Sequence, residues 1–247
     1  MKLGHVIVGA AVLMLSGCSI GERETAPGPI IAAPVVDTAE HWTATFPRLS
    51  AHGEGDRVRL GPIIEKLNAD VAADTEEFRR AADAMFDCLA NPPEGGCDAF
   101  AFPGAKITQY LEADSVERAG LVVVRFRGYA DFLGNHPANI SHGRAFDAST
   151  GDEVKLGDVL DAADLEAIRP TAMKAIVDEI GMDYTDSDWL AEGLANPESY
   201  ATWWPTDEGL HVIFADYAVA AHAAGTPEIV IPWDEFSGAD VARLGGG

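Results

Sequence analysis

Several groups of side chains in this 247-residue chain have the types that do chemistry. Asn139-Ile140-Ser141-His142-Gly143 approaches the Gly-x-Ser-x-Gly arrangement, in which a sharp strand-to-helix turn exposes a nucleophilic hydroxyl. Asn stands where the first glycine belongs. The stretch also reads as a loop ahead of a strand, so a Ser141 nucleophile is not supported. His136 and His142 carry metal-donor nitrogens, but their spacing matches no HExxH or comparable ligand set. The reading is therefore no metal and no cofactor, with His142 bonded to backbone in a turn. Cys88 and Cys97 are not spaced as CxxC and have no histidine nearby. The turn-rich stretch between them, with Pro92-Pro93 and Gly95-Gly96, predicts a disulfide. Closing so short a loop stabilises by about 2.7 kcal/mol on the chain-entropy account. Asp207 and Glu208 sit in a predicted turn and read as solvated. Trp203, Trp204 and Trp233 read as core or sheet packing, with stacking on envelope sugars as the sharper alternative.

A fourth reactive group lies near the start. Lys2 is followed by a mostly apolar run from Val6 to Leu15, then Leu15-Ser16-Gly17-Cys18. A charged start, a short apolar run and two small residues before a cysteine make an export signal. The run is shorter than the roughly 20 residues a membrane-spanning helix needs. The order is similar to a bacterial lipobox, in which the Cys18 thiol takes the lipid. Residues 1–17 are then a signal peptide and Cys18 the first residue of an extracytoplasmic, lipid-anchored protein, two acyl chains giving stable attachment.

Removing residues 1–17 leaves 16 basic against 40 acidic residues, a formal charge of −24. Phosphates would repel such a chain, which argues against nucleic acid. It also argues against contact with an anionic membrane other than through the anchor, and it favours cationic partners through long-range steering. With 47% hydrophobic residues the chain has enough apolar surface for a core and is not a disordered acidic polymer.

These side chains must be held by elements legible from spacing. Residues 18–40, with Pro27, Pro29 and Pro34, read as a tether. Trp42 to Phe46 alternates as a strand ended by Pro47. Gly61-Pro62 predicts the start of a long amphipathic helix through Ile63, Ile64, Leu67, Val71, Phe78, Ala82, Met85 and Phe86. Residues 105–112, 119–130 and 144–146 read as strands, and Ser149 to Asp152 as a turn. Pro170 predicts a fresh helix, stopped by Gly181. Ala201 to Trp204 and Leu210 to Phe214 flank a hairpin turn at Asp207-Glu208-Gly209. Glu228 to Ile231 reads as the last strand. Hairpin groups separated by helices predict an α+β fold with mixed, mainly antiparallel sheets, a long helix in the first half and shorter ones in the second.

Three stretches carry a family resemblance over roughly 130–236. They are Gly134-Asn135-His136 through His142-Gly143 to Leu160, Thr206 to Tyr217, and Ala221 to Gly225 followed by Glu228 to Phe236. Their order resembles the extracytoplasmic domain of RsiV-type anti-sigma factors, a domain type that also accompanies the PdaC peptidoglycan deacetylase and occurs in a mycobacterial secreted immunogenic protein. Phe46-Pro47-Arg48-Leu49 and the long helix look like the PdaC-type region that precedes it. The resemblance implies an N-terminal half over 41–130 and an RsiV-like domain over 131–247, packed as one unit. Pro137 to Ile140 depart from the family pattern as an insertion in its His-Gly turn. The sequence reads as the module alone, without a sigma-binding segment or a deacetylase domain. RsiV-type domains are lysozyme receptors, so the resemblance implies a binding module for an envelope protein or glycan, with a lysozyme-like cationic protein as the sharpest candidate. The loop Asn135 to His142 is the expected contact, through Asn135, His136 and His142. The alternative is an enzyme acting on peptidoglycan or another envelope polymer.

Overall fold

A computed structural model of the chain describes residues 28–94, 96–97, 105–134, 136–160, 162–181, 188–236 and 244. The predicted signal peptide, Cys18 and Asn135 lie outside them. The apolar stripe forms helix α1 (Glu54–Ala90), burying Leu60, Ile63, Ile64, Leu67, Val71, Thr75, Phe78 and Ala82 on one face. The helix begins two turns before the predicted start at Gly61-Pro62. Leu60 is fully buried, and Arg59 forks onto Asp56 and Glu117, so the extra turns are tied down. Pro62 is exposed, and the carbonyl left without its N–H belongs to Val58, on the solvent side, where water can serve it. Cys88, near the end of α1, is bonded to Cys97 with Cα atoms 6.2 Å apart.

α1 connects two parallel strands, β2 (Trp42–Ala51) and β3 (Ile107–Arg118), as such a pair requires. β3 continues antiparallel into β4 (Leu121–Asp131), β5 (Ala138–Asp147) and the short β6 (Glu153–Val154). The sixth strand is β1 (Ile30–Thr38), at the edge beside β2. This corrects the predicted tether, whose last part is strand. Pro34 hid it, but on an edge a proline interrupts no ladder, and it lies opposite Pro47. Pro47 does not end β2, which goes on pairing with β1 to Ala51 after its ladder to β3 has stopped at Thr45↔Tyr110. A second correction concerns residues 138–142, expected as a loop. They pair with β4 from Ala138↔Ala130 to His142↔Phe126.

The second half adds α2 (Ala162–Ile180), α3 (Asp188–Ala195) and a three-stranded antiparallel sheet of β7 (Thr202–Pro205), β8 (Gly209–Ile213) and β9 (Glu228–Pro232). Pro170 lies inside α2 rather than opening a helix. It is exposed, and the unserved carbonyl of Glu166 is on the solvent side as well. The fold is thus α+β, with mainly antiparallel sheets. β4 joins the halves: Val122, Val124 and Phe126 pack under α1, while Leu121 and Val123 face the core built with α2, α3 and the small sheet. Strand alternation sends successive side chains to opposite faces, so one apolar run serves both cores.

Candidate functional site

Four rings from three separate segments form a row at the surface. The His136 and His222 rings lie 3.8 Å apart at 17°. His222 is followed by Tyr217 at 5.8 Å and 25°, and Tyr217 by Trp189 at 6.4 Å and 6°. Trp189 is 41% exposed and Tyr217 51% exposed.

The fold holds this row deliberately. Leu190 and Leu194 bury one face of α3, and the Tyr200 hydroxyl donates to the Leu194 carbonyl at 3.1 Å near the helix end. α3 can lie against the turn at 215–218 because residue 193 is glycine. A Cβ there would stand 2.2 Å from the Ala218 carbonyl oxygen. That approach puts Trp189 beside Tyr217, and the indole N–H donates to the Tyr217 carbonyl at 3.1 Å. Tyr217 itself has φ +64, a left-handed backbone that costs a non-glycine residue on the order of 1–3 kcal/mol. Beside it, Asp216 Oδ2 lies 2.5 Å from His222 Nδ1, fixing that ring. Asp216 is nine-tenths buried, and its other carboxylate oxygen has no hydrogen-bond partner among the described residues.

The stretch that carries three of the rings is acidic. Between Lys174 and Arg243 the sequence has fourteen Asp and Glu and no Lys or Arg. Two of those acids meet arginines of the large sheet, Asp207 with Arg118 and Glu228 with Arg127. Asp188 and Glu192, next to Trp189 on α3, are exposed. An acidic surface carrying flat, electron-rich rings suits a cationic side chain laid over them.

His142 does not join this row. It stacks on Phe126 at 4.8 Å and 18°, in a recess of about 290 Å³ lined by Leu67, Asp70, Asp74 and Arg144 under α1. Burial pushes its imidazole below the ordinary histidine value; Asp74 opposes the shift and Arg144 adds to it. Next to it Arg144 forks onto Glu153 at 2.7 and 2.6 Å and also pairs with Asp70. Lys66 reaches Glu153 at 3.0 Å. The Arg144 hydrogen bond, with Lys66 in support, holds the Glu153 carboxyl down at about 2. These are structural ion pairs on the outside of a packed helix–sheet joint. Ser141 lies mid-strand opposite Arg127, so the strand-turn-helix of a nucleophile elbow is absent there. Among the described residues no three His, Cys, Asp or Glu side chains converge as a metal set.

Residues 158–234 match the family model described as a protein of unknown function (DUF3298). The matched stretch contains Trp189, Asp216, Tyr217 and His222 and leaves out His136. Two solved structures share the fold over most of the chain. A DUF3298 family protein from Pseudomonas aeruginosa PAO1 is 18% identical, with a TM-score of 0.52, covering 87% of this chain and 97% of its own. A member of the same family from Bacteroides fragilis NCTC 9343 is 13% identical, with a TM-score of 0.58, covering 88% and 97%. No curated protein matches the chain. The fold similarity covers far more of the chain than the matched stretch.

Of the three expected contact residues, the structure puts His136 in the exposed row and His142 under α1. Trp203 and Trp204 are buried at 2% and 3% exposure and offer no sugar platform, and Trp233 is half-buried against the same core, its indole donating to the Thr206 carbonyl at 2.8 Å. Trp189, Tyr217, His222 and Asp216 were not legible as a site. Trp189 on α3 and His136 before β5 reach the 216–222 connection only through tertiary packing. Two sequence signals pointed to their neighbourhood: the absence of Lys and Arg between Lys174 and Arg243, and the resemblance stretches Thr206 to Tyr217 and Ala221 to Gly225. Among the described residues no helix is long and apolar enough to cross a membrane.

Proposed function

We propose that this chain is a binding module of the bacterial cell envelope, anchored by lipid on Cys18, whose ligand is a cationic, lysozyme-like protein. The observation that carries the reading is the Trp189–Tyr217–His222–His136 row at the surface, three of whose rings belong to a stretch with fourteen Asp and Glu and no Lys or Arg. The row is organised before any ligand arrives, through the Trp189 and Asp216 contacts, so binding loses little side-chain freedom. Arginines of a basic partner would stack on Trp189 and Tyr217, while Asp188, Glu192 and the general field speed encounter. The contact centre thereby moves from the whole Asn135 to His142 stretch to His136 and its stacked neighbours.

Calorimetric titration of the protein with lysozyme, at low and at physiological salt, tests this, with an equally basic unrelated protein as control. A packed interface keeps a salt-resistant part, whereas general attraction fades as the Debye length shortens to about 8 Å. Equal binding of both basic proteins, with both signals gone at physiological salt, would refute the reading.

A further inference from the structure

A second opening shares no lining residue with the ring row. The β2–β3 ladder stops at Thr45↔Tyr110, two residues before Pro47, which has no N–H with which to extend it. Farther along, β1 takes over: Ser115 Oγ accepts from the Ile30 N–H at 3.1 Å and donates to the Ile30 carbonyl at 2.9 Å. Between these two closures, from Leu111 to Asp114, no described strand pairs with that edge of β3. The gap is an open cavity of about 370 Å³, walled by Ala32, Pro34 and Pro47 and floored by Tyr110, Glu112, Asp114, Arg125 and Arg127.

The floor alternates donors and acceptors. Register pairs Tyr110 with Tyr129, Glu112 with Arg127 and Asp114 with Arg125. Arg125 is locked: it forks onto Asp114 at 2.5 and 2.8 Å, and its guanidinium lies 4.5 Å over the Trp204 ring. Arg127 is held by Glu228 at 3.1 Å. Glu112 has no cation paired with it among the described residues and accepts only the Tyr110 hydroxyl, at 2.9 Å. Tyr110 and Tyr129 stack at 6.1 Å, and both are about two-fifths exposed.

We propose that this opening binds a short neutral saccharide. Both arginines already have carboxylate partners and Glu112 adds a negative charge, so the site disfavours an anion. Its closure at Tyr110 and at Ser115 excludes a long added strand. Fixed donors beside fixed acceptors match hydroxyl groups that both give and accept hydrogen bonds, and the Tyr110 ring, with Tyr129 stacked beside it, offers a flat apolar face for a sugar ring. The size is at the lower end for small-ligand pockets. This inference stands apart from the ring row and its partner.

The test is ligand-observed NMR titration of the protein with chitobiose, cellobiose and maltose, with inorganic phosphate as competitor. At least one disaccharide should bind saturably and resist phosphate. Glu112→Gln and Tyr110→Ala, both exposed substitutions, should each weaken it about tenfold, the scale of one lost charged hydrogen bond or ring contact. Trp189→Ala should leave it unchanged. Absence of saturable binding to all three sugars would overturn the proposal. So would unaltered affinity in both groove variants, displacement by phosphate, or loss of sugar binding in Trp189→Ala. The two groove variants should keep their affinity for a basic protein, which separates this result from the fate of the ring row.

Discussion

His136 and His142 lie six residues apart in the chain, on either side of the point where β5 begins, and they meet opposite surroundings. His142 stacks on Phe126 beneath α1, half-buried among Leu67, Asp70, Asp74 and Arg144. His136 stacks on His222 at the surface, in a row that ends on Trp189 and Tyr217. The first ring is accounted for by the core it closes. The second has no core to close, and the left-handed Tyr217 shows that the arrangement costs stability. The comparison separates side chains that the fold uses from side chains that the fold displays.

That contrast can be broken by mutation, most sharply on the packed side. Phe126→Ala removes a ring that is 2% exposed and should cost about 3–5 kcal/mol in urea unfolding. Trp189→Ala, at the exposed row, should cost under about 1 kcal/mol. Comparable losses at the two positions would mean that the row is structural.

His142 sharpens the contrast through pH. Its folded-state value lies below the ordinary 6.5 because burial disfavours the charged ring. The unfolded chain therefore takes up a proton first as pH falls, and folding stability is lost as pH drops through 6.5 and below. Denaturation midpoints measured between pH 7.5 and 5 should decline, and His142→Phe should flatten that decline. An unchanged slope in the variant would remove His142 as its source.

A smaller effect, of opposite sign, is expected at Tyr217. Tyr217→Gly relieves the left-handed backbone, so thermal stability should hold steady or rise by about 1 kcal/mol. Binding of a basic partner should fall all the same. Least of all should come from Glu153→Gln on the packed side. Glu153 joins Arg144 and Lys66 at a partly open surface, where such pairs contribute about 0–1 kcal/mol and less in salt. A loss of several kcal/mol there, read from urea midpoints, would show that the ion-pair cluster is part of the core.

How much was legible in the sequence follows the range of the interactions. The apolar stripe of α1, the hairpin across Asp207 to Gly209, and the Cys88–Cys97 bond all depend on near neighbours, and they read correctly. The two helices that run through Pro62 and Pro170 did not, because the added turns are held by distant contacts such as Arg59 with Glu117. β1 was hidden by Pro34, whose acceptability depends on its edge position. Residues 138–142 looked like a loop because their pairing partner is β4 and no local alternation of polarity announces it. The ring row was the least legible feature. Its four members share no motif, and α3, a turn and a strand end must dock before they meet.

The central claim is that the displayed row, and not general acidity, recognises a cationic protein. Calorimetric titration of lysozyme into the native protein, Trp189→Ala and Tyr217→Gly at physiological salt tests it most directly. We expect measurable binding by the native protein and at least a tenfold loss in each variant, although both substitutions leave the net charge unchanged and the folded stability nearly intact. Equal affinity for all three proteins would contradict the claim.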